Sequence, residues 1–249
     1  MRFLPALALC LGLAAPVSAL DLTAMTDAER AAFGQAVRGY LLENPEVLME
    51  AIGILEQKRE ADQVASDLKI LRDNAAAIYT SPADWVGGNP EGDVTVVEFL
   101  DYRCGYCRKS WQEVEQLVES DGNIRLVFKE FPILGEDSLA SSKFAIAVRK
   151  LAGDEVYKKA HDALISLKGP ANAEALDDLA AELGLDAAKV SAEMESDATL
   201  AIIRANHELA SLLQINGTPT FVINETMVRG YVPLDGMQQI VAGQRSKAN

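Results

Sequence analysis

Two of the three cysteines in this 249-residue chain stand three positions apart, in Cys104-Gly105-Tyr106-Cys107. A cysteine reacts as its thiolate, and a place at a helix N-terminus favours the anion through backbone N–H groups and the helix dipole. Trp111, Val114, Leu117 and Val118 follow at helical spacing, so Cys104 is expected to open a helix. Cys107 then lies one turn along, close enough to attack a mixed disulfide formed on Cys104. Cys104 is the candidate nucleophile and Cys107 the candidate resolving thiol. As a staple the pair would close almost no loop, so it reads as a redox-active disulfide that needs no other cofactor. The same spacing is half of a zinc site, but the chain has no second such pair and only two histidines, His161 and His207. A closed four-ligand site is therefore not expected. Both histidines fall in helical patterns and read as ordinary surface or core residues. Paired soft thiolates also suit Cu(I), which keeps a copper-handling role open.

The elements that position these thiols follow from periodicity. Val94 to Leu100 reads as a buried strand leading into the cysteines, and 124–128 as a second strand after the helix, together one βαβ unit. Glu98 shares a face with Val96 and Leu100 in this apolar run. Burial would raise its pKa towards proton transfer, and Lys129 at the end of the second strand is its expected partner. Ser81-Pro82, Gly87-Gly88 and Asn89-Pro90 form a turn-rich boundary before this unit. After it come a helical insertion at about 136–213, a hairpin over 220–230 around Asn224-Glu225, and a last helix near 234–241.

Upstream, Thr26 and Glu29 make a capping box for a helix over 27–43. Asn44-Pro45 opens a second helix with no strong breaker before Ser81. It carries an apolar seam at Leu48, Ile52 and Leu55 and another at Val64, Leu68, Leu71, Ala75 and Ile78, separated by a polar middle. Such an arm is expected to self-associate, the alternative being that its helices pack on the main domain. At the very N-terminus, Arg2, an apolar run over 3–15 and the small residues Val17 and Ala19 have the layout of a secretory leader cut after Ala19. Cys10 lies within it, and Leu9 does not suit a lipid-anchoring cysteine. The run is too short for a membrane span, which needs about 18–20 apolar residues. The expected organisation is a leader over 1–19, a helical oligomerisation arm and linker over 20–80, and an α/β domain over 81–249, in the periplasm. With 23 Lys and Arg against 37 Asp and Glu, the formal charge is −14. That surface repels phosphate backbones, so nucleic acid is not an expected partner.

Val96-Val97-Glu98-Phe99-Leu100-Asp101-Tyr102-Arg103-Cys104-Gly105-Tyr106-Cys107, with Gly217-Thr218-Pro219-Thr220 far downstream, resembles the DsbA-like branch of the thioredoxin superfamily over roughly 85–241. An acid six residues before the first cysteine, a helical insertion and a Thr-Pro pair leading into a strand agree in order and spacing. The resemblance implies a thioredoxin fold for 81–249. It gives Pro219, preceded by Thr218, the role of the cis proline lying against the disulfide, where the preceding backbone pairs with an incoming peptide. It gives Glu98 the role of the acid beneath the disulfide that moves the proton of the buried thiol. Gly105-Tyr106 departs from the Pro-His pair of the strongly oxidising members, so Cys104 is expected to have a less depressed pKa and the couple to be more reducing.

Gly-Tyr with threonine before the cis proline is similar to periplasmic disulfide isomerases of the DsbC type. With the helical arm and the stretch Leu42-Glu43-Asn44-Pro45-Glu46-Val47-Leu48, the chain resembles the suppressor-of-copper-sensitivity C proteins. This implies a disulfide isomerase or reductase acting on unfolded or misoxidised secreted proteins, recycled by a membrane redox partner and assembled as a dimer or trimer. A dithiol oxidase is the alternative.

Overall fold

The computed structural model describes residues 24–248; the leader read over 1–19, with Cys10, lies outside the described residues. The described residues divide into two compact units, with the boundary between Glu60 and Ala61.

In the first unit Thr26 caps helix α1 (Asp27–Glu43): its hydroxyl accepts from the Glu29 N–H at 3.3 Å, and the Glu29 carboxylate accepts from the Thr26 N–H at 2.8 Å. Helix α2 (Glu46–Asp73) begins after Pro45 and contributes residues 46–60 to this unit. α1 buries none of its residues. Phe33, Val37 and Tyr40 on α1 and Leu48, Met49, Ile52 and Leu55 on α2 are all exposed.

The second unit begins inside α2, earlier than the boundary near Ser81 that the turn residues predict. α2 ends at Asp73, where the Asn74 side chain donates to the Ile70 carbonyl at 2.8 Å, and a short α3 (Ala75–Tyr79) follows. An Asn that bonds the preceding turn competes with the helical ladder. Leu71 and Ile78, expected in a self-association seam, are 2% and 0% exposed and pack into the core of this unit. Their periodicity marks a helix with one buried face, and a sheet buries it here.

That sheet has the order β1-β3-β2-β4-β5. Strands β2 (Val94–Leu100) and β3 (Ile124–Glu130) run parallel around helix α4 (Gly105–Asp121), and β4 (Thr220–Ile223) with β5 (Thr226–Arg229) forms the antiparallel hairpin. β1 (Trp85–Gly88) is a strand where Gly87-Gly88 reads as turn; it pairs antiparallel with β3. The glycine serves packing, because a Cβ on Gly87 would stand 2.0 Å from the Trp85 ring, which stacks on Phe128.

Helices α5 (Glu136–Ala152), α6 (Asp154–Ser166), α7 (Ala173–Glu182), α8 (Ala187–Met194) and α9 (Asp197–Leu212) form the expected insertion, and α10 (Leu234–Ala248) closes the chain. Strand alternation sorts the core into two layers. Val96, Leu100, Phe128 and Phe221 meet α4, α5, α6 and α10 on one face; Val97, Phe99, Val127 and Val222 meet Leu71, Ile78 and α9 on the other. No helix among the described residues is long and apolar enough to cross a membrane.

Candidate functional site

Cys104 is the N-cap of α4, in extended backbone, and Cys107 sits in the first turn. Both thiols are free, and they are 7% and 1% exposed. The loop that delivers them is held by Asp101, which sequence reasoning passed over. One carboxylate oxygen of this buried side chain accepts the Arg103 N–H at 2.8 Å, and the other accepts the N–H groups of Ile133 and Leu134 at 2.8 and 3.1 Å. An acid at a strand end followed by a tight turn was the available signal.

The two thiols are electrostatically unlike. As thiolate, Cys104 accepts a hydrogen bond from the Cys107 thiol, then from the Thr218 hydroxyl and the backbone N–H groups of Cys107 and Tyr106. Together these outweigh burial and lower its pKa to about 5. The same hydrogen bond, burial and the Glu98 charge push Cys107 far above the ordinary thiol range. The Thr218–Pro219 peptide bond is cis, and in the thiol form Cys104 Sγ donates to the Thr218 carbonyl at 3.1 Å. A groove of about 310 Å³ runs along Gly217, Thr218 and Pro219 towards Arg229.

Of the intervening pair, Gly105 faces open space, where a Cβ would meet nothing within 4 Å. Tyr106 is 62% exposed and stacks on Tyr231, with ring centroids 6.2 Å apart; Lys109 Nζ lies 4.1 Å over the Tyr231 ring.

Glu98 is buried on the face of β2 that meets α4. Burial, then the Cys104 thiolate and Glu115, raise its pKa to about 8. Lys129 is not its partner. Glu98 lies opposite Phe128 and Lys129 opposite Phe99, so alternation sends the acid and the amine to opposite faces of the sheet. Lys129 instead forms a buried ion pair with Asp84 and donates to the Ala77 carbonyl. The structure thus brings Cys104, Cys107, Gly105, Tyr106, Thr218, Pro219 and Glu98 around one end of α4 and excludes Lys129. His161, read as an ordinary helical residue, is buried beside Glu98 and Cys107.

The family model described as "Thioredoxin" matches residues 80–242. The chain belongs to the thioredoxin family. A thioredoxin-like oxidoreductase from Silicibacter pomeroyi DSS-3 is 41% identical, covering 69% of this chain and 97% of that one with a TM-score of 0.65. The thiol-disulfide exchange protein alpha-DsbA2 from Wolbachia pipientis is 28% identical, covering 74% and 98% with a TM-score of 0.68. Proteus mirabilis ScsC in a transitional conformation is 27% identical and covers 91% of this chain and 100% of that one, with a TM-score of 0.65. A second family model, for the copper resistance protein ScsC N-terminal domain, matches residues 29–62. The thioredoxin fold and the ScsC-type N-terminal segment expected from the motifs are therefore both present. The Na(+)/H(+) antiporter NhaA 1 of Salinispora arenicola is 28% identical over 159 residues, 64% of this chain. The chain spans about a quarter of the length of the curated relatives it matches, 24% for that antiporter.

Proposed function

We propose that this thioredoxin-family protein is a periplasmic thiol–disulfide oxidoreductase that isomerises or reduces wrong disulfides in secreted proteins. One observation carries the exchange chemistry: two free thiols share the start of α4 beside the cis Pro219, in surroundings that favour the anion of Cys104 and the acid of Cys107. At neutral pH Cys104 attacks a substrate disulfide. A Cys104–substrate bond forms, the substrate S–S bond breaks, and one substrate sulfur leaves as thiolate. When a substrate thiolate later attacks the mixed disulfide, Cys104 is displaced unchanged and the net result is isomerisation. When Cys107 attacks Cys104 instead, the substrate leaves reduced and the Cys104–Cys107 disulfide must be re-reduced by a membrane redox partner. The backbone at Thr218, beside the groove, is placed to pair with an extended substrate chain.

The isomerase reading leans on the first unit. Its exposed apolar side chains and its match to the ScsC N-terminal domain support assembly of several copies, which sets several active sites around one substrate. The periplasmic placement leans on the leader read over 1–19. One observation favours a dithiol oxidase: a Cys104 pKa near 5 stabilises the reduced form, which makes the disulfide more oxidising.

Reactivation of a scrambled-disulfide test enzyme separates these readings, with the leaderless chain compared with its Leu48→Glu/Ile52→Glu variant. Reactivation by the first and its loss in the second supports an oligomeric isomerase. If both only oxidise a reduced substrate, the protein is an oxidase.

A further inference from the structure

Beyond the thiols and the proline loop, a buried polar cluster lies against α6. Glu130 accepts the hydroxyls of Tyr102 at 2.8 Å, Tyr157 at 2.6 Å and Ser142 at 2.7 Å. The Tyr102 oxygen also meets His161 Nδ1 at 3.2 Å. A hydroxyl has one hydrogen. With it given to Glu130, the Tyr102 oxygen accepts from His161, so Nδ1 carries the proton and Nε2 the lone pair. The imidazole lies flat on Phe128, centroids 4.4 Å apart and planes 16° apart, which fixes its orientation. It is neutral, because burial and then the Lys158 charge lower its pKa to about 3. The ring also lines a cavity of about 10 Å³ shared with Glu98 and Cys107 and walled by Trp111, Val114 and Ile165. That size suits about one water, and a buried water needs such polar partners.

We propose that His161 is a positioning residue for the resolving thiol: it holds, through Nε2, a water by which the Cys107 proton reaches Glu98. The proposal rests on the exchange reading above. In resolution the Cys107 Sγ–Cys104 Sγ bond forms, the Cys104–substrate bond breaks and the substrate leaves as thiolate. The proton of Cys107 passes through the water to Glu98 in its ionised form, a minority at neutral pH because its pKa is raised to about 8. The titratable and charged groups around this path are Cys107 and Glu115 on α4, Glu98 on β2, Tyr102, Glu130 on β3, and Tyr157 and Lys158 on α6. Glu130 is already committed to three hydroxyls, which leaves Glu98 as the acceptor that opens on the cavity.

An aromatic disulfide that releases a coloured thiolate reads both steps in the full-length protein. The first equivalent comes from attack by Cys104, and the second from attack by Cys107. His161→Phe keeps the stack on Phe128 and removes both ring nitrogens; His161→Gln returns a polar atom. The expected result is a second release slowed about tenfold in His161→Phe, a modest share of what a positioned proton acceptor contributes, with its pH profile moved upward. The first release is unchanged, and His161→Gln recovers part of the loss. Unchanged second release, or equal slowing of both, overturns the proposal. A wild-type protein that releases only one equivalent would instead sink the exchange reading itself.

Discussion

One turn of α4 separates a thiol held as its anion from a thiol held as its acid, so pH acts differently on the two redox forms. Cys104 ionises near 5 in the reduced fold, against an ordinary 9.0. Its stabilising contribution is complete above pH 9.0, shrinks as pH falls and is gone by about pH 5. The raised Cys107 pKa opposes this only above its ordinary 9.0. The melting temperature of the reduced protein, relative to the oxidised one, should therefore climb between pH 5 and pH 8; a flat difference would mean that Cys104 is not held as thiolate. Glu98 runs the other way, and burial, the largest cause of its shift, acts in the oxidised form as well, where the Cys104 thiolate is absent. In the reduced fold its pKa is raised from 4.5 to about 8, so its stability is intact below 4.5 and is lost as pH rises through 8. Glu98→Gln should remove that decline from the oxidised protein, as thermal unfolding across the same range would show. The burial of Glu98 was legible because an acid at an even spacing in an apolar strand has one place to go. Lys129 was misassigned because the register between β2 and β3 is written in neither strand. The surroundings of His161 were illegible for the same reason: α4, β2 and α6 make that cavity only when packed.

Among the elements, the face of the sheet opposite the thiols carries the less expected chemistry. Lys129 and Asp84 are almost fully buried there, and burial drives each towards its neutral form, raising Asp84 and lowering Lys129. Removing one partner strands the other. Lys129→Met should cost about 3–5 kcal/mol in urea unfolding, while Lys129→Met with Asp84→Leu should recover most of it. A single variant as stable as the pair would show that Asp84 takes up a proton at no cost. This ion pair ties the segment before β1 to β3, and β1 itself was hidden in the sequence by glycines that read as turn. The strands β2, β3 and β4, the helix α4 and the insertion were readable because each carries a full period of apolar residues. β1 is as short as β4, but two of its four residues are glycines, which leaves only Trp85 and Val86 to carry an apolar signal.

For the molecule as a whole, the question is where the arm ends and the thioredoxin unit begins. Turn residues place the boundary near Ser81, whereas the packed unit starts at Ala61. The two placements predict different proteins on truncation. A chain beginning at Ala61 keeps Leu71 and Ile78 against Phe99, Val127 and Val222. It also keeps the paired hydrogen bonds of Arg229 to Asp67 at 2.7 and 2.8 Å. A chain beginning at Ser81 loses all of these and the Ala77 carbonyl that Lys129 donates to. Removing large core side chains costs about 2–5 kcal/mol each, a large part of the roughly 5–15 kcal/mol that holds a domain folded. The Ala61 chain should unfold in one cooperative urea transition and retain the low-pH alkylation profile of Cys104. The Ser81 chain should be unfolded or far less stable. Light scattering on the Ala61 chain adds the second reading: if association rests on the first unit, it is monomeric where the longer chain is not. Equal stability of the two truncations would return the boundary to Ser81 and leave the burial of Leu71 and Ile78 without energetic consequence. An oligomer that survives removal of residues 24–60 would move the association surface into the thioredoxin unit.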